Sequence, residues 1–122
     1  NADPHSMLAA TQSLRDLPSP GRRVAVLGDM AELGSHTAEA HREIGQRCVE
    51  LGVDCLVTVG RFARETAQAA ETAGLKDVSE FPDVLSAVAG VKEIVKPGDL
   101  VLLKASRGTG LERVGEALRA AS

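Results

Sequence analysis

Two polar loops hold most of the residues able to do chemistry. Gly28-Asp29-Met30-Ala31-Glu32-Leu33-Gly34 follows the apolar run Val24-Ala25-Val26-Leu27, and Lys104-Ala105-Ser106-Arg107-Gly108 follows Leu100-Val101-Leu102-Leu103. The second loop sets an ammonium, a hydroxyl and a guanidinium ahead of Thr109-Gly110. Backbone amides at a helix start, with Ser106 and Arg107 beside them, can hold an anion, and arginine matches a carboxylate through two parallel hydrogen bonds. The same residues also read as a glycine-rich turn with a capping threonine and a solvated arginine. In the first loop Asp29 and Glu32 could receive an ammonium group or orient a lysine; alternatively Asp29 caps a turn and Glu32 faces water. His41 lies beside the apolar stripe of the next helix, where a hydrogen-bonded structural histidine is the plainer reading than a catalytic one. His5 and His36 read as exposed. Spacing alone assembles no Ser/His/Asp or Cys/His nucleophile set, so no catalytic residue is assigned.

Two phosphate-binding signatures are missing. No Gly-x-x-x-x-Gly-Lys-Ser/Thr occurs, and Gly108-Thr109-Gly110 begins a dinucleotide fingerprint whose third glycine is replaced by Arg113. The segment therefore lacks the usual means of gripping ATP phosphates or NAD by itself.

Regular alternation of elements positions these loops. Asp3-Pro4 reads as a helix start, with Met7, Ala10, Leu14 and Leu17 at helical spacing. A strand follows over 22–28. Ser35 or Thr37 is expected to cap a helix carrying Ala40, Ile44, Cys48 and Leu51. A strand over 54–59 leads to a small-residue helix with Ala63, Thr66, Ala67, Ala70 and Ala73. A short strand, Val78 to Phe81, precedes a helix opened by Pro82-Asp83 with Leu85, Val88, Val91 and Val95 on one face. After the Lys96-Pro97-Gly98-Asp99 turn comes the strand Leu100 to Leu103. The last helix is expected near Thr109, with Thr109 and Glu112 at capping-box spacing and Leu111, Val114, Leu118 and Ala121 as its stripe. The order α-β-α-β-α-β-α-β-α predicts a Rossmann-like three-layer α/β fold with a mostly parallel sheet. Because the alternation opens on a helix, the first strand of the sheet is expected to be truncated, lying before Asn1.

Composition narrows the function classes. In 122 residues, hydrophobic types make up 43%, enough for a packed core. Aromatics are only 2%, which argues against base-stacking nucleic-acid binders. The net charge of -3, with scattered basic residues, offers no footprint for nucleic acid or an anionic membrane. No apolar run approaches the roughly 18–20 residues of a membrane span. Cys48 and Cys55 read as buried, reduced thiols, and with only three histidines a structural zinc site is not expected. A cytoplasmic protein fits these features.

Three stretches together resemble the C-terminal domain of the Mur ligases, and among these the enzymes that add D-Ala-D-Ala to UDP-MurNAc-tripeptide. That domain typically opens with Tyr-Asn-Ala-Asn-Pro-x-Ser-Met; Asn1 to Met7 match it after the tyrosine, with Asp3 where asparagine is usual. Leu-Gly-Asp-Met-x-Glu-Leu-Gly matches Leu27 to Gly34, the histidine that follows matches His41, and Lys-Gly-Ser-Arg matches Lys104 to Arg107 with Ala105 replacing glycine. The resemblance covers nearly the whole chain, residues 1–122, as one such domain. It implies a monomeric three-domain enzyme of peptidoglycan precursor synthesis, whose first domain holds the UDP-sugar and whose second holds the P-loop, magnesium and ATP. ATP would phosphorylate the peptide carboxylate, and the amine of D-Ala-D-Ala would attack the acyl phosphate. The third domain would close over ATP and present the dipeptide. On that footing Asn1 and Asp3 would meet the nucleotide. Lys104, Ser106 and Arg107 would bind the dipeptide carboxylate, and Asp29 and Glu32 would shape the loop or meet the amine. The isolated segment is expected to be inactive. Alternatives are the same domain of a sister ligase or of a folylpolyglutamate synthase, or a non-enzymatic α/β binding module.

Overall fold

The computed structural model describes residues 2–31, 34–106 and 108–121. Asp3 starts the first helix, α1 (Pro4–Asp16). Its carboxylate accepts the Ser6 amide at 2.8 Å, while the Ser6 hydroxyl accepts the Asp3 amide at 3.0 Å. Met7, Thr11 and Leu14 are its buried positions, and the Thr11 hydroxyl is satisfied by the Met7 carbonyl. Leu17, expected on the same stripe, is instead 51% exposed: the helix ends at Asp16, and Leu17 turns extended and leaves the buried face.

Strands β1 (Arg23–Leu27), β2 (Cys55–Val59), β3 (Val78–Phe81) and β4 (Leu100–Lys104) form one parallel sheet in the order β3-β2-β1-β4. Helices α2 (Thr37–Glu50) and α3 (Ala63–Thr72) carry the chain from β1 to β2 to β3. Helix α4 (Val84–Ile94) then takes it back past β2 and β1 to β4, and α5 (Glu112–Ala121) follows. The chain thus reverses direction across the sheet between β1 and β4, which makes their C-terminal ends a topological switch point. The two central strands are largely apolar on both faces because both are covered, and the buried Thr58 hydroxyl is satisfied by the Ala63 carbonyl. Ala25, Leu27 and Leu56 meet Met7, Leu14, Ile44, Cys48 and Ala70 from α1, α2 and α3. Val24, Val26, Val57 and Val59 meet Ala87, Val91 and Val114 from α4 and α5. Both cysteines are free and buried, and burial pushes the Cys48 thiol up to about 12 and that of Cys55 up to about 11.

Several local expectations change. Neither Ser35 nor Thr37 caps α2; a 3-10 turn (Gly34–His36) leads into it, His36 stands at the cap without a side-chain bond, and the Thr37 hydroxyl donates to Gly34 O at 2.9 Å. The last helix begins at Glu112, and the Thr109 hydroxyl turns back to Ser106 O at 3.0 Å rather than forming a capping box with Glu112. Ala121, at the end of α5, is exposed. Leu85 is 75% exposed, because it stands about 120° around the helix from Val91 and cannot share its face, whereas Ala87, one turn before Val91, can.

The N-terminal edge of the sheet is tied by Arg22. Its guanidinium bonds Asp99 at 2.7 Å, Asp77 at 2.9 Å and the Ile94 carbonyl at 2.9 Å, and Asp99 also accepts the Lys96 amide. The Arg22 bond holds the Asp99 carboxyl below its ordinary 3.8. A depressed folded-state value means that this stabilisation is complete above 3.8 and disappears as pH falls through the lower folded value. Asp99→Asn is expected to cost about 1–3 kcal/mol at pH 7, with the gap to the parent closing below pH 4, read from urea denaturation at several pH values. Gly45 on α2 lies against the Thr66 carbonyl of α3 so closely that a Cβ there would overlap it. Gly45→Ala should therefore force the two helices apart and lower stability by about 1–3 kcal/mol in the same assay, although it improves helix propensity.

Candidate functional site

Past the last residues of β1 and β4 the two chains stay paired. The Gly28 amide donates to Lys104 O at 2.9 Å, and the Ser106 amide donates to Asp29 O at 2.9 Å. Gly28 permits this approach, since a Cβ on it would stand 2.6 Å from the Ala105 methyl. Asp29 and Ser106 are therefore neighbours across the switch point, with Lys104 one step behind them. Among the described residues, neither the Lys104 ammonium nor the Ser106 hydroxyl has a hydrogen-bonding partner.

The Asp29 side chain reaches toward β2. Its two oxygens accept the amides of Arg61 (2.9 Å) and Phe62 (3.0 Å), the residues leading into α3. Gly60 allows this: its φ is +122°, and a Cβ would lie 2.7 Å from the carboxylate. The next residue, Met30, is buried, and its amide donates to His41 Nε2 at 3.1 Å. That donor makes Nε2 the acceptor and puts the ring proton on Nδ1, which donates to Thr37 O at 2.7 Å. The His41 ring stacks on Phe62, centroids 4.8 Å apart and planes at 19°. Asp29 Oδ1 lies 3.9 Å from His41 Nε2. The Ala31 amide donates to Ala2 O at 2.9 Å, joining the loop to the segment that leads into α1.

Of the residues singled out from sequence, the fold brings Asp29, Lys104, Ser106 and His41 together and connects Asp3 to them through Ala2. Asn1, Glu32 and Arg107 lie outside the described residues. The Asp3 carboxyl is held below its usual range, first by the Ser6 amide it accepts. His5 and His36 are exposed, in the first turn of α1 and at the start of α2. Sequence reasoning missed the third wall. A cleft of about 330 Å³ opens between Gly28, Asp29, Gly60, Arg61, Asp83 and Thr109, and a hollow of about 430 Å³ lies beside it along Ser106, Gly108, Thr109 and Glu112. The signal for Arg61 was its place directly after Gly60 at the end of β2, equivalent to the places of Asp29 and Ser106 on their strands.

Among the described residues no magnesium site is formed at this edge. Asp3 and Asp83 cap helices and Asp29 holds two amides, and among the described residues no three His, Cys, Asp or Glu side chains converge as a metal ion requires. Asp29→Ala would leave the Arg61 and Phe62 amides without their acceptor and should cost about 1–3 kcal/mol in urea denaturation, whereas Asp29→Asn, keeping one carbonyl oxygen, should lose about half as much.

The family model described as "Mur ligase, glutamate ligase domain" matches residues 1–107. The UDP-N-acetylmuramoyl-tripeptide–D-alanyl-D-alanine ligase of Bacillus subtilis is 38% identical over 115 residues, 93% of this chain and 25% of that protein. The enzyme of the same name from Escherichia coli is 31% identical, over 98% of this chain and 25% of its own. Among solved structures, MurF from Acinetobacter baumannii superposes with a TM-score of 0.85 at 29% identity, covering 98% of this chain and 26% of that one. MurF from Thermotoga maritima, in complex with ADP, gives 0.72 at 31% identity, covering 99% and 26%. The chain thus spans about a quarter of the length of these relatives. With the family model covering most of it and the parallel sheet superposing on solved members, the chain belongs to the Mur ligase family, as its C-terminal domain.

Proposed function

We propose that this chain serves as the C-terminal domain of an ATP-dependent, ADP-forming ligase that adds D-Ala-D-Ala to UDP-MurNAc-tripeptide. The observation that carries the reading is the pairing of Asp29 with Ser106 at the switch point, with the Lys104 ammonium, unpartnered among the described residues, behind them, in a chain whose relatives bear that enzyme's name. In the reaction so read, ATP transfers its γ-phosphoryl group to the peptide carboxylate, giving an acyl phosphate and ADP. The dipeptide amine then attacks the acyl carbon, phosphate leaves, and the amine proton is lost as the amide forms. P-loop and magnesium chemistry belong to a domain beyond this segment.

This chain's part is to bind and orient. Lys104, the Ser106 hydroxyl and Arg107 take the dipeptide carboxylate, with arginine supplying the bidentate fork. Asp29 acts through the loop it holds, since both its oxygens already accept amides, and Glu32 stands for the amine. Asn1 is the nucleotide contact, and Asp3 works beside it by fixing the first turn of α1. Closure of the domain over the nucleotide excludes water and protects the acyl phosphate from hydrolysis. The enzyme so read is a monomer that works in the cytoplasm, where ATP and UDP-linked precursors are supplied; among the described residues no helix is long and apolar enough to cross a membrane.

The test is ADP release by the full-length enzyme with UDP-MurNAc-tripeptide, with and without D-Ala-D-Ala. Release should depend on the dipeptide. Lys104→Ala and Arg107→Ala should each raise the dipeptide KM about 10-fold or more, as expected for loss of a charge-assisted bond, while leaving the ATP KM nearly unchanged. Release that ignores D-Ala-D-Ala but responds to another amino acid would move the chain to a sister ligase.

A further inference from the structure

Successive residues of the β1 loop are each bonded to a different part of the molecule. Gly28 holds Lys104, Asp29 holds Ser106 through its carbonyl and Arg61 and Phe62 through its carboxylate, Met30 holds His41, and Ala31 holds Ala2. The ties made by Gly28, Asp29 and Ala31 run to strand ends or to the leading segment. Only the Met30 amide is held by a side chain from a helix, and that side chain is itself fixed on two further sides, by Thr37 O and by the Phe62 ring. His41 is 2% exposed and Met30 3%. Water therefore has no ready access to replace the imidazole as acceptor. For packing alone an aliphatic side chain would serve, since a buried imidazole is unfavourable unless both nitrogens are bonded. What the imidazole adds is an acceptor at one point in space, at the centre of the loop.

We propose that His41 is a positioning residue for the ligase reaction. By fixing the Met30 amide it sets, through the adjoining peptide groups of Asp29 and Ala31, where the Ser106 loop stands relative to the Ala2–Asp3 segment. The inference rests on the reading above, in which the first of these faces the dipeptide and the second the nucleotide. His41 touches neither substrate; it keeps their two binding segments in one register, so that both are presented together when the domain closes.

Three variants of the full-length enzyme separate this from simple packing. His41→Gln can place an acceptor near Met30. His41→Asn is too short to reach it but keeps a polar group near Thr37, and His41→Leu fills the space with no acceptor. With Asn and Leu, the KM values for D-Ala-D-Ala and for ATP should rise together by about 10-fold or more while kcat stays within about threefold, the pattern of lost binding geometry without lost chemistry. Gln should restore both KM values to within about threefold of the parent. Backbone hydrogen exchange over 28–31 and 104–106 should quicken about 10-fold in Asn and Leu and stay near the parent rate in Gln. Equal KM values and equal exchange for Gln and Asn, at matched melting temperatures, would overturn the proposal and leave His41 a packing residue. Should Asn and Leu fail to fold, exchange in the parent decides: the Met30, Ala31 and Ser106 amides must open together, and a Ser106 amide exchanging about 10-fold faster than Met30 would overturn the coupling. A parent enzyme that ignores D-Ala-D-Ala would overturn the functional reading instead, while the exchange comparison would still decide the role of His41.

Discussion

The C-terminal edge of the sheet depends on where the backbone of residues 28–31 runs. A parallel sheet leaves its loop peptides without ladder partners once the strands diverge, and buried peptide groups need partners. Here the ladder between β1 and β4 continues one step into the loops, and the side chains of Asp29 and His41 supply acceptors where strand neighbours no longer can. The ends of β1, β2 and β4 and the start of α1 are thereby joined through one short stretch of chain. Any ligand bound at this edge meets a preorganised backbone rather than several independent loops.

Small residues make that construction possible. Gly28 clears the Ala105 methyl, and Gly60 takes a positive φ and leaves room for the Asp29 carboxylate. The contact at Ala105 constrains both partners: with alanine at 105, a side chain at 28 would drive β1 and β4 apart and break the Ser106–Asp29 bond. With so few aromatic rings in the chain, the placing of Phe62 against His41 and of Phe81 against Gly90 of α4 carries weight. Each ring sits where a wide, flat surface sets the distance between a strand end and a helix.

Much of this was legible in the sequence. The order of elements, the parallel sheet, the capping by Asp3 and the two loops at strand ends follow from hydrophobic runs, Asp-Pro and the glycines that close them. The departures have separate physical causes. Counting threes and fours places Leu85, Leu17 and Ala121 on buried stripes, but a helix face is about 100° wide and its ends leave the core. Thr37 and Thr109 have the right residue type for caps, yet their hydroxyls turn back to carbonyls three residues earlier. Arg61 and Phe62 carry no local mark beyond the place of Arg61 after Gly60; their importance comes from Asp29, more than thirty residues away in sequence. Long-range side-chain-to-backbone bonds leave no periodic trace.

The two edges of the sheet are held by different means, and the difference bears on function. At the N-terminal edge, Arg22 is drawn into ionic bonds with Asp99 and Asp77, so its charge is neutralised. At the C-terminal edge the joints are backbone amides, one carboxylate and one imidazole, and Lys104 is left without an anionic partner among the described residues. A binding edge cannot be fastened by its own cations, since each ion pair formed within the fold would have to break before a substrate carboxylate could take its place. Fastening the loops through amides satisfies the backbone and leaves the Lys104 charge unpaired among the described residues, so that this edge could receive an anion without first breaking an ion pair of its own.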